Sequence, residues 1–167
     1  MKTLVIVPTY NEIENIERII ETVLAKAEDI EILVLDDNSP DGTALRVKFM
    51  QSSEPRLHLI ERPGKMGLGS AYVTGFKYAL QNGYEYIMEM DADFSHNPED
   101  VPRLIEAAKK YDLVIGSRYC NGVNIINWPY HHQLAVQASV DQLFCQQVRA
   151  CDHRNARKRP YWRIQVF

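Results

Sequence analysis

The 167-residue chain has 46% hydrophobic and 25% charged residues, a composition typical of one soluble globular domain with a sizeable core. Its net charge of only −3 gives no basic footprint, so we expect no nucleic-acid partner. No apolar run is long enough to cross a bilayer, no signal peptide is visible, and Cys120, Cys145 and Cys151 lack metal-ligand spacing, which together favour a reducing cytoplasm.

Short apolar runs alternate with helical patterns along the chain. The predicted strands are residues 3–7, 31–35, 57–60, 84–90 and 112–115. Runs this short and this apolar are typical of strands buried on both faces of a parallel sheet. Because strand and helix alternate, we predict an α/β fold with a mostly parallel central sheet covered by helices.

Four helices are predicted between these strands. Thr9 or Asn11 suits the N-cap of the first, the second is weaker and covers residues 43–50, and a glycine-rich loop over residues 62–70 leads into the third. The apolar residues predicted to face inward are Ile16, Ile19, Ile20, Val23 and Leu24 in the first helix, Val73, Phe76, Ala79 and Leu80 in the third, and Val101, Leu104, Ile105 and Ala108 in the fourth, which begins at Pro98.

Polar side chains follow four of the five predicted strands. They are residues 10–12, residues 36–41, Asp91 with Asp93, and Ser117 with Arg118. Ligands of open parallel sheets bind outside the carboxyl ends of the strands, so the alternating topology should bring these residues to one edge. Two carboxylates one residue apart at a strand end, Asp91 and Asp93, can converge on one hard cation.

Each of these residues also has a simpler structural interpretation, and the functional one depends on their meeting at one edge. The alternatives are turn formation for Asp36, Asp37 and Asp41, a solvated first-turn acid for Glu12, a strand end with a helix cap for Asp91 and Asp93, a loop or cap position for His96, and a surface charge for Arg118.

So many acids at one edge repel one another unless a cation lies among them. A divalent metal at Asp91 and Asp93 offsets that repulsion and implies a bound oxyanion, typically a diphosphate. Lys65 and Arg118 suit supporting cations, and the glycine-rich loop lets backbone approach a ligand closely. No P-loop motif is present, and no Gly-x-Gly-x-x-Gly follows the first strand. The pattern predicts a nucleotide-diphosphate ligand with its metal.

Five motif stretches occur in order within residues 3–129. They are residues 7–12 (VPTYNE), 36–43 (DDNSPDGT), 62–71 (RPGKMGLGSA), 90–96 (MDADFSH) and 116–119 (GSRY). Together they resemble glycosyltransferase family 2, and within it the dolichol-phosphate (polyprenyl-phosphate) mannosyltransferases. The resemblance implies that residues 1–129 are the nucleotide-sugar-binding catalytic domain. It also implies the nucleotide-diphospho-sugar transferase (GT-A, Rossmann-like) fold, C-terminally incomplete here.

The resemblance also implies roles for individual residues. The implied nucleotide pocket is lined by Pro8, Tyr10, Glu12, Val34 and Asp36, with Asp37 beside them. The glycine-rich loop adds Lys65 and Gly67 as substrate-binding residues. Asp91, Ala92 and Asp93 would hold the diphosphate, with Asp91 and Asp93 as ligands of Mg²⁺ or Mn²⁺. Arg118 would meet the phosphates or the acceptor, and is implied as catalytic together with the two aspartates.

The implied reaction is metal-dependent, inverting transfer of mannose from GDP-mannose to a dolichyl or polyprenyl phosphate, by a protein peripheral to the cytoplasmic face of a membrane. A phosphate acceptor is already anionic at neutral pH, so positioning cations and a stabilised leaving group matter more than a general base. Base choice depends on pocket shape, which leaves UDP-glucose as an alternative donor. A phospho-acceptor signalling domain would carry its acid pair after the first strand, whereas this pair follows the second.

The resemblance stops after Trp128 and Pro129. Residues 1–129 carry 13 basic and 20 acidic residues, a net charge of −7, whereas residues 130–167 carry 6 and 2, a net charge of +4. If the codons for residues 155–166 are read one base out of frame, suitable synonymous codons give Met-Pro-Val-Lys-Asp-Pro-Thr-Gly-Gly-Phe-Lys-Cys. This peptide contains the motif that the family resemblance leads us to expect there. Our hypothesis is that residues 130–167 are a frameshifted, poorly ordered tail, which leaves a donor-binding chain with reduced or lost transfer as the alternative function.

Overall fold

A computed structural model describes residues 2–111, 113–116 and 163–166, and all of them belong to one compact unit. Its strands are β1 (Thr3–Thr9), β2 (Ile30–Asp36), β3 (Leu57–Glu61), β4 (Tyr86–Glu89), β5 (Leu113–Ile115) and β6 (Arg163–Val166). Its helices are α1 (Ile16–Leu24), α2 (Thr43–Gln51), α3 (Leu68–Gln81) and α4 (Val101–Ala108), with a 3₁₀ turn at Pro98–Asp100.

The six strands form one sheet in the order β3-β2-β1-β4-β6-β5. Every neighbouring pair is parallel. The register sets Thr9, at the end of β1, opposite Asp36, at the end of β2. The predicted α/β fold with a mostly parallel sheet is confirmed, and the parallel direction carries the ends of β1, β2 and β4 to the same edge.

Strand β6 is not among the elements that the sequence predicts. Arg163–Val166 pairs with Tyr86–Glu89 on one side and with Leu113–Ile115 on the other. Four residues of the segment predicted as a poorly ordered tail therefore form an interior strand of the sheet. Arg118, the three cysteines and the rest of that segment lie outside the described residues, and the domain boundary at residue 129 stays a prediction.

Alternate residues of β1 enter opposite layers of the core. Leu4 and Ile6 pack in the cluster that contains the buried side chains of α3, whereas Val5 and Val7 pack in the cluster that contains those of α1 and α4. All four residues are fully buried. Because side chains of a strand alternate between its faces, an uninterrupted apolar strand needs a layer on both sides, and the helices supply it.

Helix α1 confirms its predicted inward face, since all five of the apolar residues named for it are buried. The predicted cap is wrong. Asn15 occupies the N-cap and makes no side-chain capping hydrogen bond, while the Thr9 hydroxyl donates to Asp36 instead. In α4, Val101, Leu104 and Ala108 are buried as predicted. Among the described residues, no helix combines the length and apolar character needed to cross a bilayer.

Helix α3 begins at Leu68, inside the predicted loop, and buries Ala71, Tyr72, Gly75 and Ala79. Of the residues predicted to face inward, only Ala79 is fully buried, and the others are half-buried. The reason is steric, because a Cβ atom at Gly75 would lie 2.7 Å from both Cδ1 and Cγ2 of Ile6. The helix therefore places Ala71, Gly75 and Ala79, together with Tyr72, against the sheet, and leaves Val73, Phe76 and Leu80 half-buried at its sides.

Candidate active site

The ends of β1 and β2 are tied together at the carboxyl edge of the sheet. The Thr9 hydroxyl donates to Oδ1 of its register partner Asp36 over 2.9 Å. The Asp37 backbone N–H donates to the Thr9 carbonyl over 3.0 Å. The pairing of the two strands thus continues past their last residues and fixes where both following loops begin.

Asp36 organises the loop that follows β2. Its carboxylate is fully buried, and it accepts two hydrogen bonds from Ser39, from the backbone N–H to Oδ2 over 2.8 Å and from the hydroxyl to Oδ1 over 2.6 Å. This is the turn-forming arrangement that aspartate favours in such segments. The contact with a base or ribose predicted for Asp36 stays a prediction.

The loop after β1 is held by the loop after β2. Three consecutive backbone N–H groups donate, each over 3.0 Å, to side-chain oxygens of that loop or of Thr43, the first residue of α2: Asn11 to Ser39 Oγ, Glu12 to Thr43 Oγ1 and Ile13 to Asp41 Oδ2. Burial raises the pKa of Asp41, but hydrogen bonds from Thr43 and Ile13 outweigh it and hold that pKa below its ordinary value of 3.8. The anionic form is therefore the one that holds the loops together.

Asp91 and Asp93 lie in the turn directly after β4. The Asp91 N–H donates to His96 Nδ1 over 3.0 Å, and its carboxylate accepts from the Tyr72 hydroxyl over 3.3 Å. Asp93 is exposed and its Oδ1 accepts from the Ser95 N–H over 2.9 Å. His96 is therefore a loop residue, and the following 3₁₀ turn is capped by Asn97. The side chains around Asp91 hold the turn without covering Asp93.

A third acid, Glu89, stands beside this pair and is buried. Burial and the Asp91 charge raise the pKa of Glu89 to about 8. For the exposed Asp93, partial desolvation raises the pKa, but hydrogen bonds from Ser95 outweigh that effect and hold the pKa below its ordinary value of 3.8. Neither Glu89 nor Tyr72 is among the site residues predicted from the sequence. Glu89 could have been found there, because it is the last acid within the apolar run of residues 84–90.

The metal-binding potential of this edge rests on Asp91 and Asp93. In the part of the chain that the structure describes, no group of three or more His, Cys, Asp or Glu side chains is arranged to hold an ion. Two carboxylates are nevertheless a sufficient protein contribution for Mg²⁺ or Mn²⁺ where substrate phosphates and water complete the shell. The donor set therefore fits a metal that arrives with a phosphate ligand.

The glycine-rich loop reaches the same edge. The Lys65 ammonium lies 4.5 Å from the centroid of the Tyr10 ring, just beyond β1. Gly67 has a φ of 89° and is the N-cap of α3, a backbone conformation that glycine adopts without strain. Asp37, predicted beside the nucleotide pocket, is buried in an ion pair with Arg62 at the start of this loop.

The model of one known family, Glycosyl transferase family 2, matches residues 4–163 of this chain. The chain belongs to glycosyltransferase family 2. This confirms the family that the five motif stretches predict. The match continues past Pro129, where the motif resemblance ends.

Three curated relatives are similar to this family 2 chain over most of its length. The undecaprenyl-phosphate mannosyltransferase of Micrococcus luteus is 45% identical over 129 residues, 77% of this chain and 53% of that protein. The polyprenol monophosphomannose synthase of Mycolicibacterium smegmatis is 47% identical over 131 residues, which cover 77% of this chain and 49% of that protein. The dolichol-phosphate mannosyltransferase of Pyrococcus furiosus is 41% identical over 143 residues, which cover 84% of this chain and 40% of that protein. The chain spans about half the length of these relatives.

Solved structures of other transferases share the fold. The mannosyltransferase of Pyrobaculum calidifontis in complex with GDP-Man and Mn²⁺ gives a TM-score of 0.59 at 24% identity, covering 70% of this chain and 36% of that one. Glucosyl-3-phosphoglycerate synthase of Mycobacterium tuberculosis, in complex with Mn²⁺, UDP and glucosyl-3-phosphoglycerate, gives a TM-score of 0.54 at 20% identity, covering 71% of this chain and 44% of that one. These likenesses confirm the predicted GT-A fold of the family 2 chain.

The structure brings most of the predicted site residues of this family 2 chain to one edge of the sheet. Tyr10 is exposed, and Pro8 and Glu12 are half-buried, so all three are accessible. Val34 is fully buried in the core, and Ala92 is also buried. Arg118 lies outside the described residues, and its role stays a prediction.

Proposed function

We propose that this family 2 chain transfers mannose from GDP-mannose to a dolichyl or polyprenyl phosphate with inversion. The observation that carries the proposal is the position of Asp91 and Asp93 directly after β4, at the edge where β1 and β2 also end. The names of the curated relatives, which describe mannosyl transfer onto polyprenyl or dolichol phosphate at 41% to 47% identity, support the choice of sugar and acceptor.

We assign the nucleotide to the ends of β1 and β2. Pro8, Tyr10 and Glu12 are the accessible residues there, while Val34 and Asp36 are buried beneath them. The interlocked loops after these strands hold that surface in one shape before any ligand arrives. A preformed surface lowers the ordering cost of binding.

We assign Mg²⁺ or Mn²⁺ to Asp91 and Asp93, with the diphosphate of the donor completing its coordination. When bound, the ion neutralises the charge that develops on the departing nucleotide diphosphate. Asp93 is exposed and ionised, because hydrogen bonds from Ser95 favour its carboxylate. Tyr72 donates its hydroxyl to Asp91, and burial together with the Asp91 charge raises the pKa of that hydroxyl well above 10, so it remains a donor at neutral pH.

The acceptor phosphate supplies its own nucleophilic oxygen. It is anionic at neutral pH, so the chain needs cations that hold two anionic substrates together more than a base that removes a proton. Lys65 is the candidate cation at this edge, and Arg118 is assigned the same role by the family resemblance. We propose that the protein meets its lipid acceptor as a peripheral protein at the cytoplasmic membrane face.

The change of sequence character after Pro129 favours a second candidate function, donor binding without turnover. The motif resemblance stops there, and residues 130–167 carry a net charge of +4 against −7 for residues 1–129. A family 2 transferase that uses UDP-glucose is the third candidate, since solved fold neighbours include complexes with UDP.

The deciding experiment incubates the full chain with radiolabelled GDP-mannose, Mn²⁺ and a polyprenyl phosphate. Lipid-extractable label supports transfer, whereas nucleotide binding without lipid label supports the donor-binding alternative. The same assay with labelled UDP-glucose distinguishes the donors. Absence of both binding and transfer with either donor would sink the proposal. A Glu85→Gln variant, altered at the opposite end of β4, serves as the control for a change of charge.

A further inference from the structure

Asp37 and Arg62 form a buried, two-pronged ion pair. Their relative exposures are only 8% and 7%. Arg62 Nη2 donates to Asp37 Oδ2 over 2.7 Å, and Nε donates to Oδ1 over 2.5 Å. Both carboxylate oxygens are therefore engaged by one guanidinium, in the geometry that arginine favours with carboxylates.

The same guanidinium reaches across the base of the glycine-rich loop. Its Nη1 donates to the Ser70 hydroxyl over 2.7 Å, and Nη2 also donates to the Gly67 carbonyl over 3.4 Å. The Ser70 hydroxyl in turn donates to the Met66 carbonyl over 2.8 Å. From the other side, the Met66 N–H donates to Asp37 Oδ2 over 3.4 Å. The two ends of the segment 63–67 are thus held by one buried pair.

Residues 63–67 contain no regular structure of their own, so nothing in a helix or strand ladder fixes their shape. Gly67 has φ 89° and ψ 148°, a conformation that is open to glycine but that its backbone freedom does not select by itself. Lys65, Met66 and Leu68 are exposed, so burial of the loop's own side chains does not hold it either. The contacts of Arg62, together with the Ser70 hydroxyl that Arg62 contacts and that donates to the Gly67 carbonyl over 2.8 Å, hold the loop in this shape.

The consequence falls on Lys65. Its ammonium lies over the Tyr10 ring at the end of β1, which requires the loop to bend back over the strand edge. Without the Asp37–Arg62 ion pair, the loop would be free to move. The flexible side chain of Lys65 would then give its ammonium no fixed position. The side-chain contacts of Asp37 are with Arg62 and Met66, and its side chain is only 11% exposed, so the carboxylate is engaged mainly by the loop.

We infer that Asp37 and Arg62 are positioning residues, a buried clamp that holds residues 63–67 so that Lys65 stands at the carboxyl edge of the sheet beside Tyr10. That Lys65 then serves an anionic substrate rests on the proposed function. Asp37 acts through Arg62 and not by touching the nucleotide. This revises the role that the family resemblance implies for Asp37.

Limited trypsin digestion of the full chain tests the clamp directly, because the Lys65–Met66 bond is a cleavage site inside the loop, while Pro63 protects the bond after Arg62. Cleavage in a folded protein tracks the open fraction of its loop. Arg62→Lys keeps the positive charge but loses the two-pronged contact with Asp37 and the hydrogen bonds to Ser70 and Gly67. We expect cleavage at Lys65 to rise about 10-fold to about 100-fold, the factor that corresponds to lost charged hydrogen bonds.

Arg46→Gln is the matched control, because Arg46 pairs with Glu17 on the α1 and α2 side of the sheet. It should leave cleavage at Lys65 unchanged. Arg62→Gln and Asp37→Asn should open the loop further. If one of these two variants unfolds the chain, trypsin will cut after every accessible lysine and arginine. The test of the clamp then depends on Arg62→Lys alone. Unchanged cleavage at Lys65 in folded Arg62→Lys protein would overturn the clamp.

Calorimetry with GDP and Mn²⁺ separates this inference from the proposed function. Arg62→Lys and Lys65→Gln should each weaken binding by a similar factor, and the double variant should be no weaker than either, since both remove one interaction. Additive losses would show that Arg62 does not act through Lys65. If the unaltered chain binds no nucleotide, the proposed function fails, and the proteolysis result still decides the clamp.

Discussion

The Thr9 hydroxyl donates to Asp36 Oδ1 over 2.9 Å, and the two residues are register partners at the ends of neighbouring parallel strands. Both are buried, with exposures of 4% and 0%. A carboxylate in such a place needs its hydrogen bonds, because an unpaired buried acceptor carries the full cost of desolvation. The link between β1 and β2 is therefore structural as well as part of the site.

Thr9→Val keeps the shape of the side chain and removes its donor. We expect the free energy of unfolding to fall by about 1 to about 3 kcal/mol, because Asp36 then keeps only its bonds from Ser39. Urea denaturation measures the change. Thr22→Val is the control, since the Thr22 hydroxyl donates only to a helix carbonyl at an exposed position. An equal loss in both variants would contradict the role given to Thr9.

The sequence predicts the strand layers well and one helix face badly, for a physical reason. The buried strands can be recognised from their apolar runs, because a strand that is covered on both faces has apolar residues at successive positions. In α3, by contrast, the packing distance to β1 decides the face, and Gly75 with its small neighbours permits the closest approach. A helical periodicity deduced from large apolar residues cannot reveal this close approach, because the approach depends on glycine having no side chain.

Gly75→Ala tests that contact, since two effects of opposite sign compete. Alanine favours a helix by about 1 kcal/mol over glycine, but its Cβ atom would lie 2.7 Å from two carbons of the fully buried Ile6. Overpacking of this kind costs about 1 to about 3 kcal/mol, so we expect a net loss of stability in urea denaturation. Gly64→Ala, with no atom within 4 Å of the added carbon, should be close to neutral. A stabilised Gly75→Ala would show that α3 lies farther from the sheet.

The candidate site divides in the same way between what the sequence reveals and what it conceals. Asp91 and Asp93 are neighbours in sequence, so their spacing and the strand before them already predict a shared site. Asp37 and Arg62 are 25 residues apart, and only the fold brings them together. The sequence therefore predicts turn formation or ligand contact for Asp37 and gives no sign of its partner.

A polar cluster at the amino-terminal edge of the sheet makes stability depend on pH. Glu31 accepts hydrogen bonds from Tyr84 over 2.7 Å and from His58 over 2.6 Å, and its other oxygen lies 3.2 Å from the Lys2 ammonium. Burial raises the pKa of Glu31, but these three partners outweigh it and hold the pKa below the ordinary value of 4.5. The carboxylate is thus more acidic in the folded chain than in the unfolded one.

The sign of the effect follows from that direction. Stabilisation by Glu31 is present above its unfolded pKa and is lost as pH falls through the lower folded pKa. We expect urea midpoints of the unaltered chain to fall more steeply than those of Glu31→Gln between about pH 5 and about pH 3. Glu106→Gln, which removes an exposed partner of Lys109, is the control. Parallel curves for Glu31→Gln and the unaltered chain would refute the assignment.

The frameshift hypothesis for residues 130–167 makes a prediction at the level of the gene. Trp162 has a single codon, which forces the first glycine of the shifted motif, and the remaining residues are permitted by synonymous choices. We expect the encoding DNA, read one base out of frame over residues 159–165, to give Asp-Pro-Thr-Gly-Gly-Phe-Lys. Sequencing that DNA checks it, and any other shifted reading disproves the hypothesis.

Asp93→Ala tests the metal and diphosphate site most directly. Asp93 is exposed, and its contact is with the Ser95 N–H of its own turn, so we expect the fold to survive its truncation. Removing one of two carboxylate ligands should abolish Mn²⁺-dependent GDP binding in calorimetry while leaving any metal-independent binding in place. Asp93→Asn separates the two roles, because the amide still accepts from Ser95 but carries no charge.

The control for Asp93→Ala is Glu85→Gln, which removes one negative charge at an exposed residue just before β4, at the end of the strand far from the site. It should bind GDP and Mn²⁺ like the unaltered chain, because a charge screened by solvent at that distance has little effect. Undiminished Mn²⁺-dependent GDP affinity in Asp93→Ala would remove this aspartate from the metal site. Loss in Asp93→Ala with retention in Asp93→Asn would instead show that the negative charge of Asp93 is not required, because the asparagine preserves the oxygen that accepts from Ser95 and that can still contact an ion.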